Sequence, residues 1–298
     1  MTFAQLQVFA KVVETGSFTK AGEALNMTQS AVSHAVAGLE SELGVSLIVR
    51  DRKPGVILSD FGRRVLGSVR DILSRMAQIE QEAAAEKGLE AGVIRIGSFP
   101  SAAARLLPKM IATFKSLHPD IEIVLFEGTD QEIVEWLDSR VIDVGFVAEA
   151  SLGSRTIPLT KDKMVVVMPK GHPYGAAPAI PVTQLVDSPF IMSQGGCEPL
   201  IREIFDRSGL SPAVRFEVRD MSTILNMVKE GLGVTVVPEL ALPDTLQGLE
   251  FRDLDPPFWR HLGLCCRFGE EATLAVRTFI GMGQSLFHDD DPQRGGRS

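Results

Sequence analysis

The stretch Thr28-Gln29-Ser30-Ala31-Val32-Ser33-His34 decides how the first part of the chain folds. Thr28 is of a residue type that caps helices, and the apolar residues after it recur with the period of an amphipathic helix. Those inward residues are Ala31, Val32, Ala35, Val36 and Leu39. A shorter helix, expected to be capped by Thr19, precedes it across the turn Asn26-Met27, and a helix that starts near Phe3 ends at Gly16. Two short helices joined by a few residues predict a helix-turn-helix.

Two apolar segments after this helix predict a small hairpin, or wing. Val45–Arg50 and Val56–Ser59 can pair as strands around the turn Asp51-Arg52-Lys53-Pro54-Gly55. Arg50, Arg52 and Lys53 make this hairpin basic, although the whole chain has a formal net charge of −8. A locally basic loop can neutralise phosphates even on an acidic protein, so the placement of charge matters more than its sum.

Together these features predict a surface that binds double-stranded DNA. A recognition helix enters the major groove with its N-terminal end first, where polar side chains meet base edges and phosphates. Gln29 is suited to pair with adenine, while the wing residues are expected to contact the backbone or minor groove. The expected DNA-binding residues are Thr28, Gln29, Ser30, Ser33, His34, Arg50, Arg52 and Lys53. The alternative, that the polar residues only cap and solvate a helix, does not account for the basic hairpin beside them.

Length and composition favour an ordinary globular protein of two or three domains. The chain has 298 residues, of which 45% are hydrophobic and 23% charged, which is typical neither of a disordered nor of a membrane-embedded protein. The start of the sequence lacks the pattern of a secretory signal, and three cysteines cannot form a disulfide framework. We therefore expect a cytoplasmic location and no membrane partner.

A long helix is predicted over residues 60–87, followed by a hinge at 88–92. Its apolar residues recur at intervals close to a heptad, which favours packing against a second copy of the same helix. The expected dimer-forming residues are Phe61, Val65, Val69, Ile72, Met76 and Ile79, with Ala83 continuing the series. The alternative is an amphipathic helix that packs on its own domain.

Strands alternate with helices from Val93 onward, which predicts parallel sheets covered by helices. The tail from His288 is polar and rich in glycine, and we expect residues 289–298 to be disordered.

Motifs along nearly the whole chain, in a fixed order, carry a resemblance to a known family. They are Leu6-Gln7-Val8-Phe9, Gly16–Ala21, Thr28–Ser33, Leu39-Glu40, Leu43-Gly44-Val45, Arg50, Leu58–Gly62, Ile94–Gly97, Ile142–Gly145, Pro169–Pro173 and Val228–Val234. In these motifs the sequence resembles the LysR-type transcriptional regulators. It departs from the family at His34, where arginine is common, and at Gly22, where alanine is frequent.

The resemblance implies a mixed fold: an all-α winged helix-turn-helix with a long linker helix, then an α/β effector domain of two Rossmann-like subdomains, similar to a type 2 periplasmic binding protein. The implied domains are 1–59, 60–90 and 91–288. Subdomain I would span about 91–162 plus 268–288, and subdomain II about 163–267. The chain would cross between them near Lys161–Lys163 and Cys266–Phe268. The resemblance also implies no cofactor, a homodimer extended to a homotetramer, and contact with RNA polymerase if the protein is an activator.

The loops after the strands of the effector domain are the expected ligand site, because ligands of such sheets bind beyond the carboxyl ends of the strands. Ser101 is expected to cap the helix that follows it. The expected effector-binding residues are Ser98, Phe99, Ser101, Thr129, Phe146, Ser193, Gln194, Gly195, Gly196 and Cys197. Helix N-termini carrying Ser, Thr and Gly offer unpaired N–H donors, so a small anion, most simply a carboxylate, is the expected ligand. The alternative is that these residues cap helices below an unoccupied groove.

Cys197 allows a second interpretation. It lies at a predicted helix start, where the helix dipole lowers a thiol pKa. Its position resembles that of the reactive cysteine in the peroxide-sensing branch of the family. That branch has a second cysteine nine positions later, where this chain has Asp206. The alternatives are a redox-responsive thiol and an inert or ligand-lining one.

Two other protein classes fit the sequence less well. The five histidines are scattered and no HExxH, CxxC or GxSxG motif is present, which argues against an enzyme. A solute-binding protein would use the same cleft, but it would not explain the helix from Thr28 to Glu40 or the basic hairpin.

Overall fold

The structure, a computed structural model, describes residues 1–49, 55–86, 92–148, 156–266 and 272–287. It divides the chain into two compact units. Unit 1 is Met1–Gly92 with Asp138–Val141, and unit 2 is Val93–Leu137 with Ile142–Ser298. Each unit has a hydrophobic core of its own.

Unit 1 begins with three helices. They are α1 (Phe3–Thr15), α2 (Phe18–Leu25) and α3 (Gln29–Leu43). Gly16 ends α1 and Thr28 caps α3, as the sequence predicts. The prediction that Thr19 caps α2 is wrong: Ser17 holds that position and its hydroxyl accepts a hydrogen bond from the Lys20 amide, so Thr19 lies inside the helix.

The wing and the long helix complete unit 1. Strands β1 (Ile48–Val49) and β2 (Ile57–Leu58) pair antiparallel, and α4 spans Asp60–Glu86. The core joins all these elements. Its members include Phe9, Val12, Val32, Leu39, Leu47, Leu66 and Val69. The first turns of α4 are therefore held by the domain that precedes them in sequence.

Unit 2 is built around a seven-stranded sheet. Its strands are β3 (Gly92–Ser98), β4 (Ile121–Glu127), β5 (Val144–Ala148), β6 (Thr156–Pro169), β7 (Ala179–Pro181), β10 (Thr235–Pro238) and β11 (Leu249–Cys265). They lie in the order β10-β6-β11-β5-β3-β4, with β7 beside β11. Two further strands, β8 (Phe190–Ser193) and β9 (Val214–Val218), form a parallel pair, and a bridge joins Phe190 to Val234.

Helices cover these strands. They are α5 (Pro100–Arg105), α6 (Leu107–Leu117), α7 (Asp130–Asp138), α8 (Val182–Leu185), α9 (Glu198–Asp206), α10 (Met221–Lys229) and α11 (Leu274–Phe287). Single 3₁₀ turns lie at Pro173–Ala176 and Glu239–Ala241. Within the described residues, no helix is both long and apolar enough to span a bilayer.

The prediction of purely parallel sheets is wrong for the large sheet. Strands β3 and β5 are parallel, but β11 runs antiparallel to β5 and to β6. The sequence pattern missed β11 altogether. Asp255-Pro256-Pro257 looks like a turn, whereas the strand absorbs it as a break in register between Asp253 and Phe258. Backbone pairing with β7 and β6 on either side outweighs the local effect of the prolines.

The long strands β6 and β11 contain or adjoin both of the predicted crossings between subdomains. β10 pairs with β6 from Met164 onward, and β5 pairs with β11 from Leu262 onward. Lys161–Lys163, where the first crossing is predicted, lie within β6 opposite Trp259–His261 of β11. Of the second predicted crossing, Cys266–Phe268, only Cys266 is among the described residues, directly after β11, so both crossings stay predictions.

Candidate functional site

The N-terminal end of α3 presents a polar, accessible surface. The Thr28 hydroxyl accepts a hydrogen bond from the Ala31 amide at 3.2 Å, which starts the helix at Gln29. Thr28, Gln29, Ser30 and His34 are exposed and Ser33 is half-buried. Gln29 Nε2 donates to Ser33 Oγ at 3.2 Å, so its amide is held over the first turn. The side chains at this end of α3 are therefore accessible to a binding partner.

The turn before α3 explains why residue 22 is glycine. Asn26 adopts a left-handed conformation with φ 53°, and the Met27 amide returns to the Gly22 carbonyl at 2.8 Å. A Cβ on Gly22 would lie 2.6 Å from the Met27 carbonyl oxygen. Any larger residue would therefore force the two helices of the motif apart, which outweighs the helix-propensity cost of glycine.

The wing is tied to α3 by one carboxylate. Glu40 Oε1 accepts hydrogen bonds from the amides of Leu47 and Ile48, at 2.7 and 3.1 Å. On the other strand, Ser59 Oγ donates to the Ser46 carbonyl at 2.7 Å. The expected backbone-contacting residues Arg50, Arg52 and Lys53 lie outside the described residues.

The apolar series on α4 splits into two parts. Phe61 and Val65 pack on the core of unit 1, as does Val69, which is only 2% exposed. Ile72, Met76 and Ile79 are exposed, to 43%, 37% and 58% respectively. Packing of the helix on its own domain therefore holds for the first part of the series. The second part is exposed in the single chain, and dimer formation through it stays a prediction.

Unit 2 contains an open cleft of about 890 Å³. Seven of the ten expected effector-binding residues line it: Phe99, Ser101, Thr129, Ser193, Gly195, Gly196 and Cys197. The other three do not. Ser98 and Phe146 are buried in strands β3 and β5, and Gln194 points to solvent and donates to Glu217. Successive side chains of a strand point to opposite faces of the sheet, so a prediction that is off by one position selects a residue that points away from the cleft.

Arg260, which no sequence pattern singles out, places a guanidinium cation in the wall of the cleft. Arg260 lies in β11 and is 5% exposed. Its Nε and Nη2 donate to Asp162 Oδ2 at 2.8 and 2.5 Å, and Nη2 also donates to Ser101 Oγ at 2.6 Å. The guanidinium also stacks on the Phe99 ring, 4.9 Å from its centroid. Nη1 has no acceptor among the described residues and remains able to bind a ligand.

This bond also changes the role of Ser101. The prediction that Ser101 caps a helix is wrong, because α5 begins at Pro100 with Phe99 in the cap position and no side-chain cap bond. The Ser101 hydroxyl instead holds Arg260. An arginine and a serine 159 positions apart meet here, a contact that no local pattern reveals.

A second group of donors lies after β8. Ser193 is 1% exposed and lines the cleft, yet its hydroxyl has no partner among the described residues. The amides of Gly195 and Gly196 likewise find no acceptor there, and α9 begins at Glu198. Unpaired N–H groups at a helix start, beside a free hydroxyl, form a site that can accept an anion.

Acidic side chains share the cleft with these donors. Asp130 Oδ1 accepts the Ala148 amide at 3.1 Å, and burial raises the pKa of this carboxyl although the Ala148 bond and Arg260 act to lower it. Glu132 accepts from the amide and hydroxyl of Thr129, and these bonds lower the Glu132 pKa. The predicted role of Thr129 as a free donor is thereby reduced, because its hydroxyl already serves Glu132.

Cys197 differs from the expectation of a lowered thiol pKa. It does stand at the start of α9, but burial raises the pKa of its thiol, and Asp130 and Asp162 raise it further against the opposing effect of Arg260. Cys197, Cys265 and Cys266, all within the described residues, form no disulfide. A thiol with a raised pKa is a weak nucleophile at neutral pH.

Comparison with known proteins identifies the family. The family described as "Bacterial regulatory helix-turn-helix protein, lysR family" matches residues 3–63, and "LysR substrate binding domain" matches residues 87–286. The chain belongs to the LysR family of transcriptional regulators. It is 43% identical to the uncharacterised HTH-type transcriptional regulator YvbU of Bacillus subtilis (strain 168), over 96% of this chain and 99% of that one.

Two solved LysR-type structures share the fold. A full-length single-residue variant of OxyR from Pseudomonas aeruginosa has a TM-score of 0.77 at 23% identity and covers 95% of this chain and 98% of its own. Full-length CbnR, solved with its target DNA, has a TM-score of 0.65 at 20% identity and covers 96% and 99%. As a LysR-family protein the chain is a DNA-binding transcriptional regulator with an N-terminal helix-turn-helix and a C-terminal substrate-binding domain.

Proposed function

We propose that this LysR-type regulator binds a specific DNA sequence through the start of α3 and the wing, and that a small anion bound in the cleft of unit 2 modulates its activity. The exposed polar turn beginning at Thr28 supports the first part. One observation carries the second: among the described residues, Arg260 Nη1, the Ser193 hydroxyl and the amides of Gly195 and Gly196 are all without acceptors around one cleft. A carboxylate supplies the acceptors that such donors need.

Base reading and backbone contact are separable by mutation. Gln29→Ala is expected to change which bases are preferred, because a side-chain amide reads base edges. Arg52→Ala or Lys53→Ala is expected to weaken binding about equally on all sequences and to reduce the salt slope by about one. Fluorescence anisotropy on the intergenic region upstream of the gene, at several salt concentrations, measures both. If the Gln29 variant and the wing variants change base preference and salt slope in the same way, the assignment of base reading to Gln29 and backbone contact to the wing is wrong.

The effector part is tested by a thermal-shift screen of small carboxylates, followed by DNA binding with and without each hit. Ser193→Ala is expected to weaken binding of the hit about ten- to hundredfold, the loss of one hydrogen bond to a charged group. DNA affinity without ligand is expected to stay unchanged, because residue 193 lies in unit 2 and α3 in unit 1. A screen in which no carboxylate shifts the melting temperature contradicts this part of the proposal.

The assembly that this function requires is a dimer formed through α4, extended to a tetramer by pairing of the C-terminal domains. Exposed Ile72, Met76 and Ile79 support the dimer. Effector binding would then change the spacing of the DNA-binding heads and, in an activator, their contact with RNA polymerase.

Redox control through Cys197 is the alternative, and the raised thiol pKa disfavours it. Peroxide treatment of the protein, with Cys197→Ser as the control, separates the two. An effect of peroxide on DNA binding that Cys197→Ser abolishes supports the redox mechanism, and a wild type indifferent to peroxide excludes it.

A further inference from the structure

Every arginine that lines the cleft is already paired with a carboxylate. Arg105 Nη1 lies 2.5 Å from Asp244, and Arg219 Nη2 lies 3.7 Å from Glu132. Arg260 is bound to buried Asp162. A ligand that is only an anion therefore meets donors but no uncompensated positive charge.

Asp130 is the opposite case, because it forms no ion pair within the described part of the chain, although the charge of Arg260 acts on it from farther away. No Lys, Arg or His nitrogen of the described residues lies within ion-pair distance of it, and its bond from another residue is the Ala148 amide on Oδ1. Its Oδ2 has no donor from another described residue. This oxygen lies below the loop after β8: a Cβ placed on Gly196 would be 3.8 Å from it. Asp130 therefore lies beside Gly196, whose amide has no acceptor among the described residues.

The charges at the deep end of the cleft do not balance. One arginine, Arg260, stands against two carboxylates, Asp162 and Asp130, which leaves a net charge of −1. A simple carboxylate would increase that to −2 in a partly desolvated site, where like charges repel more strongly than in water. A ligand that carries both a carboxylate and a positive group leaves the net charge of the site at −1.

A second feature supports a ligand site at this end of the cleft. The Ser193 hydroxyl is almost fully buried and lines the cleft without a partner among the described residues, and buried hydroxyls are normally hydrogen-bonded. Donors thus lie on the side of Ser193, Gly195 and Arg260, and a free acceptor lies at Asp130.

Resting on the effector site proposed above, we infer that the effector is a zwitterion in which an ammonium group is adjacent to the carboxylate, the chemistry of an α-amino acid. The carboxylate binds Arg260 Nη1, the Ser193 hydroxyl and the amides of the loop after β8. The ammonium group donates to Asp130 Oδ2. The ammonium and carboxylate of one α-carbon satisfy both sets of groups at once.

The test compares matched probes by isothermal titration calorimetry on the full-length protein. The probes are the common L-α-amino acids, their 2-hydroxy analogues and their deaminated analogues. At least one amino acid is expected to bind about ten- to hundredfold more tightly than its deaminated analogue, the size of a hydrogen bond to a charged group. Equal or tighter binding of the deaminated acid overturns the inference, and so does tighter binding of the hydroxy acid.

A variant assigns the preference to Asp130. Asp130→Asn keeps an oxygen for the Ala148 amide but removes the charge, so it is expected to lower amino-acid affinity at least tenfold and to leave the deaminated acid unchanged or tighter. Asp220→Asn is the matched control, because Asp220 also lines the cleft but is exposed and caps α10 through the Thr223 amide. It is expected to keep the preference. A preference that survives Asp130→Asn overturns the inference.

The outcomes separate this inference from the function on which it rests. If deaminated acids bind and amino acids do not, the cleft is an effector site and only the zwitterion is wrong. If no probe of any series binds and none alters DNA binding, the effector site itself is wrong and the inference fails with it.

Discussion

Arg260 of β11 and Asp162 of β6, which lie opposite each other in the antiparallel pairing of these strands, form a buried ion pair. The guanidinium Nε and Nη2 donate to one carboxylate oxygen at 2.8 and 2.5 Å, and the two residues are 5% and 3% exposed. Asp162 Oδ1 accepts the Leu240 amide at 3.1 Å, and Arg260 binds Ser101. The pair therefore connects both strands to Leu240 and Ser101, two residues that line the cleft.

Removing one member of this pair is expected to destabilise unit 2 severely. Arg260→Met leaves a buried carboxylate without its cation, which costs about 3–5 kcal/mol. Trp136 and Trp259, the two tryptophans of the chain, both lie in unit 2, so urea unfolding followed by tryptophan fluorescence reports on this unit.

The matched control is the neighbouring pair Lys163–Asp253, in which Asp253 is 41% exposed. Asp253→Asn is expected to cost less than about 1 kcal/mol, because solvent screens an exposed pair. Similar losses for both variants would show that Arg260 is not bound as described.

Two glycines of α4 are expected to respond in opposite ways to alanine. A Cβ on Gly62 would lie 2.1 Å from the Leu47 carbonyl oxygen, so Gly62→Ala must displace the wing from the helix. Gly67 has nothing within 4 Å of its Cβ position. Gly67→Ala is therefore expected to stabilise the helix by about 0.5–1 kcal/mol.

Hydrogen exchange measured on peptides from α4 and the wing distinguishes the two glycine variants. Gly62→Ala is expected to speed exchange in both segments and to weaken DNA binding, whereas Gly67→Ala slows exchange in α4. Tolerance of alanine at residue 62 would contradict the close approach of α4 to Leu47.

The exposed part of the α4 stripe is expected to control assembly. Ile72→Ser combined with Ile79→Ser removes apolar surface that is 43% and 58% exposed in one chain, so it should weaken self-association without unfolding unit 1. Val69→Ala is the contrasting variant. Because Val69 is buried in its own domain, this change should destabilise unit 1 and leave association intact. Sedimentation velocity and thermal unfolding measure the two effects, and the reverse pattern would place the interface elsewhere.

The pH dependence of stability is expected to identify Asp130. Burial raises the pKa of this carboxyl above its ordinary value of 3.8. Below pH 3.8 the protonated carboxyl therefore adds to the free energy of unfolding, and this contribution is lost as pH rises through the folded-state pKa. Asp130→Asn cannot ionise. The melting temperature of Asp130→Asn minus that of the wild type is therefore expected to increase as pH rises from about 4 to about 7.

The pKa of Asp220 is shifted in the opposite direction, so Asp220 serves as the control. Hydrogen bonds from Thr223 lower its pKa, so its contribution is present above 3.8 and is lost only as pH falls below it. The difference between Asp220→Asn and the wild type is expected to stay flat between about pH 4.5 and pH 7. A flat difference for Asp130→Asn as well would contradict the raised pKa.

The sequence predicted the elements whose signals are local. The Thr28 cap, the end of α1 at Gly16 and the pairing of two short wing strands all depend on residues close together in the chain. Seven of the ten expected cleft residues were found because they follow strands, where loops meet at one edge of a sheet.

The Thr19 cap was a local error, because Ser17 lies only two positions earlier. The misses at the cleft share another physical cause, which is that the deciding partners lie far away in sequence. Arg260 was missed because β11 is held by pairing with β6 and β7 despite its two prolines. Ser101 was misassigned as a cap because its partner lies 159 positions later. The thiol of Cys197 depends on burial and on surrounding charges rather than on its helix start.

The sequence by itself determined the family, the DNA-reading motif and the order of the elements, because periodicity, caps and turn residues act over a few positions. The tertiary structure alone decided which charges meet in the cleft, since Arg260, Asp162 and Asp130 come from three separate elements. It also decided which half of α4 is already buried, because that depends on the volume the preceding helices leave to be filled.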